Sequence, residues 1–148
     1  MADDLFPRDA EIIKGLIDLP RRDVAILLET GYLLMEFSKP KEAEEVFAGV
    51  TALLPHSEVP HLALGNLYFS QGKFQNALKE HKKAHELRPE SALPHVHIGE
   101  CLFALHKYDE GKQELEKALK KENEGPTADF ARNLLEAREF GIFDAMAK

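Results

Sequence analysis

The chain has 148 residues, of which 44% are hydrophobic and 30% are charged, so it can bury one core and remain soluble. Its net charge of −7 argues against non-specific nucleic-acid binding, which needs clustered Lys and Arg to displace the counterions of phosphates. The same charge disfavours an anionic membrane surface. The single cysteine, Cys101, excludes an intrachain disulfide and favours a reducing compartment.

The start of the chain, Met1-Ala2-Asp3-Asp4, is acidic and lacks the apolar stretch of a secretory signal. No apolar run approaches the roughly 18 residues that a membrane helix needs. We therefore expect a cytoplasmic protein with no membrane partner.

The first predicted element is a helix over 8–19, with Asp9 as a suitable N-cap. Its narrow apolar stripe consists of Ile12, Ile13, Leu16 and Ile17. Three pairs of amphipathic helices follow, and Pro55 and Pro89 end the second helix of the first two pairs, because proline cannot continue the hydrogen-bond ladder. The paired helices are predicted over 23–36 and 40–53, 58–70 and 74–87, and 92–104 and 108–121.

The last predicted helix covers 126–140 and begins with proline, which suits the first turn of a helix. One side carries Phe130, Leu134 and Leu135, and the other side is charged. This is the polar capping helix that the end of a solenoid requires. We expect the tail after Gly141 to be mobile.

A step of 34 residues relates the three helix pairs and sets their register. It links Gly31, Gly65 and Gly99, then Ala43, Ala77 and Gly111, then Phe47, His81 and Leu115. The small residues allow the two helices of a pair to cross closely. The best copy covers 58–91 and contains Leu64-Gly65, Tyr68, Gly72, Phe74, Ala77, Ala84 and Pro89. The copies over 24–57 and 92–125 are weaker, with Leu34 and Leu102 in place of that Tyr.

These motifs resemble the tetratricopeptide repeat (TPR) family, whose repeat has 34 residues with small, aromatic and proline positions in this order. The resemblance implies a single all-α domain, a TPR solenoid of three helix-turn-helix repeats. An extra N-terminal helix and a C-terminal capping helix flank it.

In TPR arrays the first helix of each repeat lines a concave groove, at positions 2, 5, 9 and 12, which share one helical face. Ten of the twelve residues at these positions are apolar or aromatic, which favours a groove for the hydrophobic segment of a protein or peptide client. The set consists of Ala25, Leu28, Tyr32, Met35, Val59, Leu62, Asn66, Phe69, Leu93, Val96, Glu100 and Phe103. The alternative is that the chain's own termini or a second subunit fill the groove.

TPR modules that bind chaperone tails clamp a terminal carboxylate with basic residues and asparagine. The matching positions here carry Leu28, Tyr32 and Val96, so the resemblance implies no carboxylate clamp.

No catalytic motif is found, and we predict no enzyme activity, cofactor or metal. His81 and His85 are four residues apart on one helix, but no third metal ligand is evident. Cys101 occupies the position of Leu33 and Leu67, which predicts packing in the core rather than a reactive thiol.

Within the TPR family, the chain resembles the translocator chaperones of bacterial type III secretion. The resemblance rests on Leu62-Ala63-Leu64-Gly65, on Gly99-Glu100-Cys101-Leu102 and on the segment 131–138. It implies a chaperone that holds a secreted client, and it leaves open a homodimer through the N-terminal helix. The competing hypothesis is a TPR adaptor in a bacterial envelope or signalling assembly.

Overall fold

A computed structural model describes residues 12–13 and 19–147, and the side chains of 19–145. This part of the chain contains a two-residue antiparallel ladder, seven α-helices and a C-terminal 3-10 helix. The elements are β1 (Ile12–Ile13), β2 (Leu19–Pro20), α1 (Arg21–Glu36), α2 (Pro40–Leu53), α3 (Val59–Ser70), α4 (Phe74–Leu87), α5 (Leu93–Ala104), α6 (Tyr108–Lys121), α7 (Pro126–Glu139) and the 3-10 helix Ile142–Ala147.

The predicted all-α TPR solenoid is confirmed, and each predicted helix over 23–140 begins and ends within two residues of its observed bounds. Proline occupies the first or second position of α2, α3, α5 and α7, where its missing N–H breaks no helical bond. The turn inside each pair places a residue with positive φ at the same repeat position, namely Ser38, Gly72 and His106. The repeat is therefore encoded in its turns as well as in its apolar faces.

The glycines of the 34-residue step lie where the two helices of a pair come closest. A Cβ added to Gly31 would approach the Phe47 ring to 2.2 Å, and one added to Gly65 would approach the His81 ring to 2.4 Å. At Gly99 the corresponding distance to Leu115 is 2.8 Å. Each large side chain thus occupies the space that the glycine leaves open.

The predicted helix over 8–19 is wrong where the structure describes it. Ile12 pairs with Pro20 and Ile13 with Leu19 in the antiparallel ladder. β-Branched isoleucine favours extended backbone, and the residue before a proline is disfavoured in the α conformation. The rest of the predicted helix, including Asp9, Leu16 and Ile17, lies outside the described residues.

At the other end of the array, α7 has one apolar side and one charged side, as predicted. Leu134 is buried, while Phe130 and Leu135 pack against the core of the third repeat. The tail after Gly141 was expected to be mobile, but it forms the 3-10 helix and buries Phe143 against Phe103, with ring centroids 5.3 Å apart. Its Asp144 accepts a hydrogen bond of 2.8 Å from Tyr108. No helix in the described part of the chain is long and apolar enough to span a membrane.

Candidate functional site

The candidate site is one face of α1, α3 and α5, the first helices of the three repeats. Corresponding positions of neighbouring repeats meet there, since Asn66 Nδ2 donates to Tyr32 Oη at 3.4 Å although the two residues are 34 positions apart. Tyr32 also packs edge-on against Phe47, with centroids 5.2 Å apart. A continuous surface therefore crosses from the first repeat to the second.

Most of the predicted groove residues are at least partly accessible. Tyr32 and Val59 are the most exposed, at 39% each. The half-buried members are Ala25, Leu28, Met35, Leu62, Asn66, Phe69, Leu93 and Glu100. These side chains are therefore partly packed against the repeat cores and partly open to solvent. Phe69, for example, packs against the core between α4 and α5 and contacts the Phe74 ring, with centroids 5.0 Å apart.

The structure does not leave Val96 and Phe103 accessible, although both were expected in the groove. Their exposed fractions are 0% and 1%, because both belong to the core formed by α5, α6, α7 and Phe143. Phe103 fills the space beside Gly111 of α6 and packs on Phe143 of the C-terminal 3-10 helix, so the chain's own residues cover it. Apolar side chains remain accessible mainly on α1 and α3.

The polar groups on this face are few. Asn66 and Tyr32 provide amide and phenol groups, and Glu100 is 3.4 Å from His97 Nδ1. An amide both donates and accepts, so Asn66 suits the backbone of an extended peptide. Neither Leu28 nor Tyr32 provides positive charge for a terminal carboxylate.

A repeated His–Glu–Lys arrangement was not anticipated from the sequence. His61 Nδ1 lies 2.7 Å from Glu80 Oε2, and Lys83 donates to the other oxygen of Glu80 at 3.2 Å. In the next repeat, the corresponding group consists of His95, Glu114 and Lys117, with distances of 2.6 and 2.7 Å. A search for histidine and glutamate residues that recur after 34 positions would have identified this arrangement in the sequence. In the second and third repeats, the His–Glu contact joins the two helices of the repeat.

Two pairs of histidine rings also meet between α4 and α5, across the boundary between the second and third repeats, and only the first pair is stacked. The rings of His81 and His97 are 4.6 Å apart and nearly parallel, and those of His85 and His95 are 4.4 Å apart. Burial, assisted by the charge of His97, lowers the pKa of His81 to about 3. Burial beside His95 also lowers the pKa of His85. Among the described residues, no group of three or more His, Cys, Asp or Glu is arranged to hold a metal ion.

Cys101 is fully buried in the core between α4 and α5, which confirms the predicted packing role. Burial, followed by the neighbouring Glu100 carboxylate, raises the pKa of its thiol to about 12. The reactive form of a cysteine is the thiolate, so both the burial of this side chain and the raised pKa of its thiol keep it unreactive.

We expect the native protein to show no reaction with a water-soluble aromatic disulfide reagent over an hour at pH 8, and one reactive thiol per chain in denaturant. Ala48→Cys, which places a thiol on the exposed side of α2, is the control and is expected to react at once. Rapid reaction of the native parent protein would contradict the buried position.

Comparison with known proteins places this architecture among tetratricopeptide folds. The family model described as anaphase-promoting complex, cyclosome, subunit 3, matches residues 35–118. A search of curated protein sequences finds no match.

Similar solved structures include the type III secretion translocator chaperone SycD of Yersinia enterocolitica, at 19% identity and a TM-score of 0.70, covering 76% of this chain and 87% of that chain. PcrH in complex with the chaperone binding region of PopD is 20% identical, with a TM-score of 0.68 and coverages of 90% and 99%. The first TPR of Spaghetti (RPAP3), bound to the HSP90 peptide SRMEEVD, is 24% identical, with a TM-score of 0.65 and coverages of 78% and 92%. At these identities the likeness establishes the fold.

Proposed function

The chain belongs to the tetratricopeptide-repeat family described as anaphase-promoting complex, cyclosome, subunit 3, and on this premise we propose that it is a non-catalytic chaperone that holds an extended apolar segment of a client protein. The observation that carries the proposal is the face of α1, α3 and α5, which presents accessible apolar side chains around one amide, Asn66. Large apolar patches on a protein surface mark sites of interaction.

In this proposal the client segment crosses the face in extended form. Asn66 bonds its backbone, and its apolar side chains enter the spaces between neighbouring A-helix residues. The contact surface is assigned to Leu28, Tyr32, Met35, Val59, Leu62, Asn66, Phe69, Leu93 and Glu100, with Val96 and Phe103 beneath it as core. Each apolar anchor buried contributes roughly 1.5–3 kcal/mol. Two or three anchors, after the entropy cost of ordering the segment, give reversible binding.

We assign the client to type III secretion, and the site of action to the cytoplasm before export. The support is the shared fold with SycD, a translocator chaperone, and with PcrH, which was solved with the chaperone binding region of PopD. The mechanism requires no bond chemistry, because the groove only masks an apolar segment from aggregation and releases it.

The proposal is tested by capturing clients from the native cells on the full chain and on Tyr32→Glu/Val59→Glu, and identifying them by mass spectrometry. Both substituted positions are exposed enough to accept a carboxylate without unfolding the array. We expect secretion substrates on the parent chain and at least a tenfold loss on the double variant. Leu33→Glu, with similar exposure on the same helix but on another face, is the matched control and is expected to retain the client.

An adaptor that joins folded proteins is the second candidate, favoured by the apolar side chains that α1 exposes away from the groove, Ile26, Leu33 and Phe37. The same captures separate the two functions. An adaptor using that surface would lose its partner in Leu33→Glu and keep it in Tyr32→Glu/Val59→Glu. Absence of any secretion component from the parent capture would reject the chaperone proposal.

The absence of a basic clamp gives a further prediction. We expect the peptide SRMEEVD to bind more weakly than about 1 mM in isothermal titration, since Leu28 and Tyr32 cannot neutralise its terminal carboxylate and the chain carries a net charge of −7. Saturable binding at micromolar concentration would show that an ionic mode operates on this face.

A further inference from the structure

The face of α1, α3 and α5 contains one partly buried carboxylate that stands apart from the other charges of the array. α3 has no Asp, Glu, Lys or Arg among its 12 residues, and Glu100 is the only such residue among the 12 of α5. The second helices of the same repeats, α4 and α6, are instead rich in Lys and Glu, which keep the outer surface solvated. Glu100 therefore does not belong to the set of charges that solvate the array.

The carboxylate of Glu100 has no cationic side chain beside it. In the described part of the chain its one partner is His97 Nδ1, at 3.4 Å, and no Lys or Arg lies within ion-pair distance. The similarly buried carboxylates of Glu80 and Glu114 each contact both a histidine and a lysine. Because the Glu100 side chain is only 20% exposed, water and salt screen its charge less than that of a surface glutamate.

Glu100 occupies the third place in a row of polar groups that crosses the face. The 34-residue step relates it to Asn66 and Tyr32, and the Asn66 amide reaches the Tyr32 phenol at 3.4 Å. α3 in turn packs against α5, since Phe69 contacts the core that includes Cys101. A segment that lies along this row therefore meets a phenol, an amide and a carboxylate in that order.

We propose that the client segment carries a lysine or arginine that pairs with Glu100, which makes this residue a determinant of client specificity. The inference rests on the proposed function and adds the chemistry of the client, an extended apolar segment with a basic residue. On α1, the charged residues nearest to Tyr32 on the same side of the helix, Glu29 and Glu36, are also acidic and exposed. The face therefore repels an acidic segment and favours a basic one.

The spacing of the helices also predicts where the basic residue stands in the client. Packed helices lie about 8–10 Å apart and an extended chain advances about 3.3 Å per residue, so one step from α3 to α5 corresponds to about three residues. Leu62 lies one turn before Asn66 on α3 and packs the apolar anchor beside it. We expect that anchor about three positions away from the basic residue that reaches Glu100.

Selection from a phage-displayed library of random peptides tests the inference, with peptides of about 12 residues to span the three helices at about 3.3 Å per residue. The baits are the full chain, Glu100→Gln and Glu100→Arg. We expect the parent to enrich apolar peptides with Lys or Arg about three positions from an apolar residue. Glu100→Gln is expected to lose the basic preference and keep the apolar one, and Glu100→Arg is expected to enrich Asp or Glu instead.

Fluorescence anisotropy with one labelled peptide from the parent selection measures the size of the effect. Replacing its basic residue by glutamine is expected to weaken binding to the parent at least fivefold and to leave binding to Glu100→Gln unchanged. Glu116→Gln, which removes an exposed carboxylate from α6, is the matched control and is expected to bind both peptides as the parent does. Because glutamine at position 100 keeps an oxygen that can accept from His97, a loss is assigned to the charge and not to the position of that ring.

The proposed groove and the role of Glu100 fail in different ways. Apolar peptides without a preference for Lys or Arg, or the same preference on Glu100→Gln, would overturn the role of Glu100 and leave the apolar groove in place. Recovery of no apolar peptide, or of peptides that bind Tyr32→Glu/Val59→Glu as well as the parent, would overturn the groove and this inference with it.

Discussion

Replacing Gly65 by alanine is expected to lower the free energy of unfolding by about 2 kcal/mol, even though the same substitution normally stabilises a helix. The added Cβ would lie 2.4 Å from Cε1 of the His81 ring and 2.5 Å from Nε2. His81 has no free space into which it can turn, because it is 1% exposed and stacks on His97. Relief of the contact therefore requires α3 and α4 to move apart.

Gly49→Ala provides a matched control on the neighbouring repeat. Gly49 also lies within a helix, α2, but a Cβ added there meets nothing within 4 Å. We expect this change to raise the free energy of unfolding by about 1 kcal/mol, the helix-propensity difference between Gly and Ala. Urea unfolding followed by circular dichroism at 222 nm measures both values.

A double-mutant cycle tests whether His81 causes the loss at Gly65. In a His81→Ala background the ring is absent, so Gly65→Ala is expected to become neutral or stabilising. If Gly65→Ala costs the same with and without the ring, the close approach of the two helices is not the reason for the glycine.

The helices and the glycine contacts could be predicted from the sequence because both depend on residues that recur every 34 positions. The step places Gly31 and Gly65 at one repeat position and Phe47 and His81 at another, and the structure brings these two positions into contact. The groove was predictable only in part. Periodicity identifies the side of α5 that carries Val96 and Phe103, but not whether another segment covers it.

The covering segment has no repeat position that would reveal it. Phe143 comes from the six-residue 3-10 helix after α7, a segment too short to show a helical period. At the other end, Ile12 and Ile13 matched a helical stripe but also suit extended backbone, and Pro20 favours the extended form at Leu19. Such segments depend on contacts with the finished array, which local patterns do not encode.

Five of the seven exposed large apolar side chains thus lie in the N-terminal half of the array, and the other two, Phe140 and Ile142, follow α7. The groove is accessible at Tyr32 and Val59 and covered at Phe103, while the outer side of α1 exposes Leu33. The polar side of α7 limits the stacking of a further repeat at the opposite end.

Acidification from pH 7 to pH 5 is expected to lower the free energy of unfolding by about 2 kcal/mol through His81 alone. Burial and the nearby His97 lower the pKa of this side chain from 6.5 to about 3 in the folded protein. Between those values the unfolded chain binds a proton that the folded chain does not. Stability therefore decreases as the pH falls below 6.5, by about 1.4 kcal/mol per pH unit. The lowered pKa of His85 acts in the same direction.

His81→Phe is expected to remove most of this pH dependence and to stabilise the protein at pH 7. Phenylalanine is the native residue at the same position of the first repeat, where Phe47 packs against Gly31 as His81 packs against Gly65. The change also removes Nδ1 of His81, a buried nitrogen without a hydrogen-bond partner among the described residues, whose desolvation costs about 1–3 kcal/mol.

The reciprocal variant, Phe47→His, makes the test specific for burial at this repeat position. Phe47 is fully buried, so a histidine there should also resist protonation and steepen the pH dependence. Urea unfolding at pH 7.5, 6.5, 5.5 and 5.0 measures all three proteins in a range where most carboxyl groups stay ionised. An unchanged slope in His81→Phe would assign the acid sensitivity to other groups. A slope lost in His81→Phe and gained in Phe47→His would show that the space facing the repeat glycine excludes a charged ring wherever it occurs in the array.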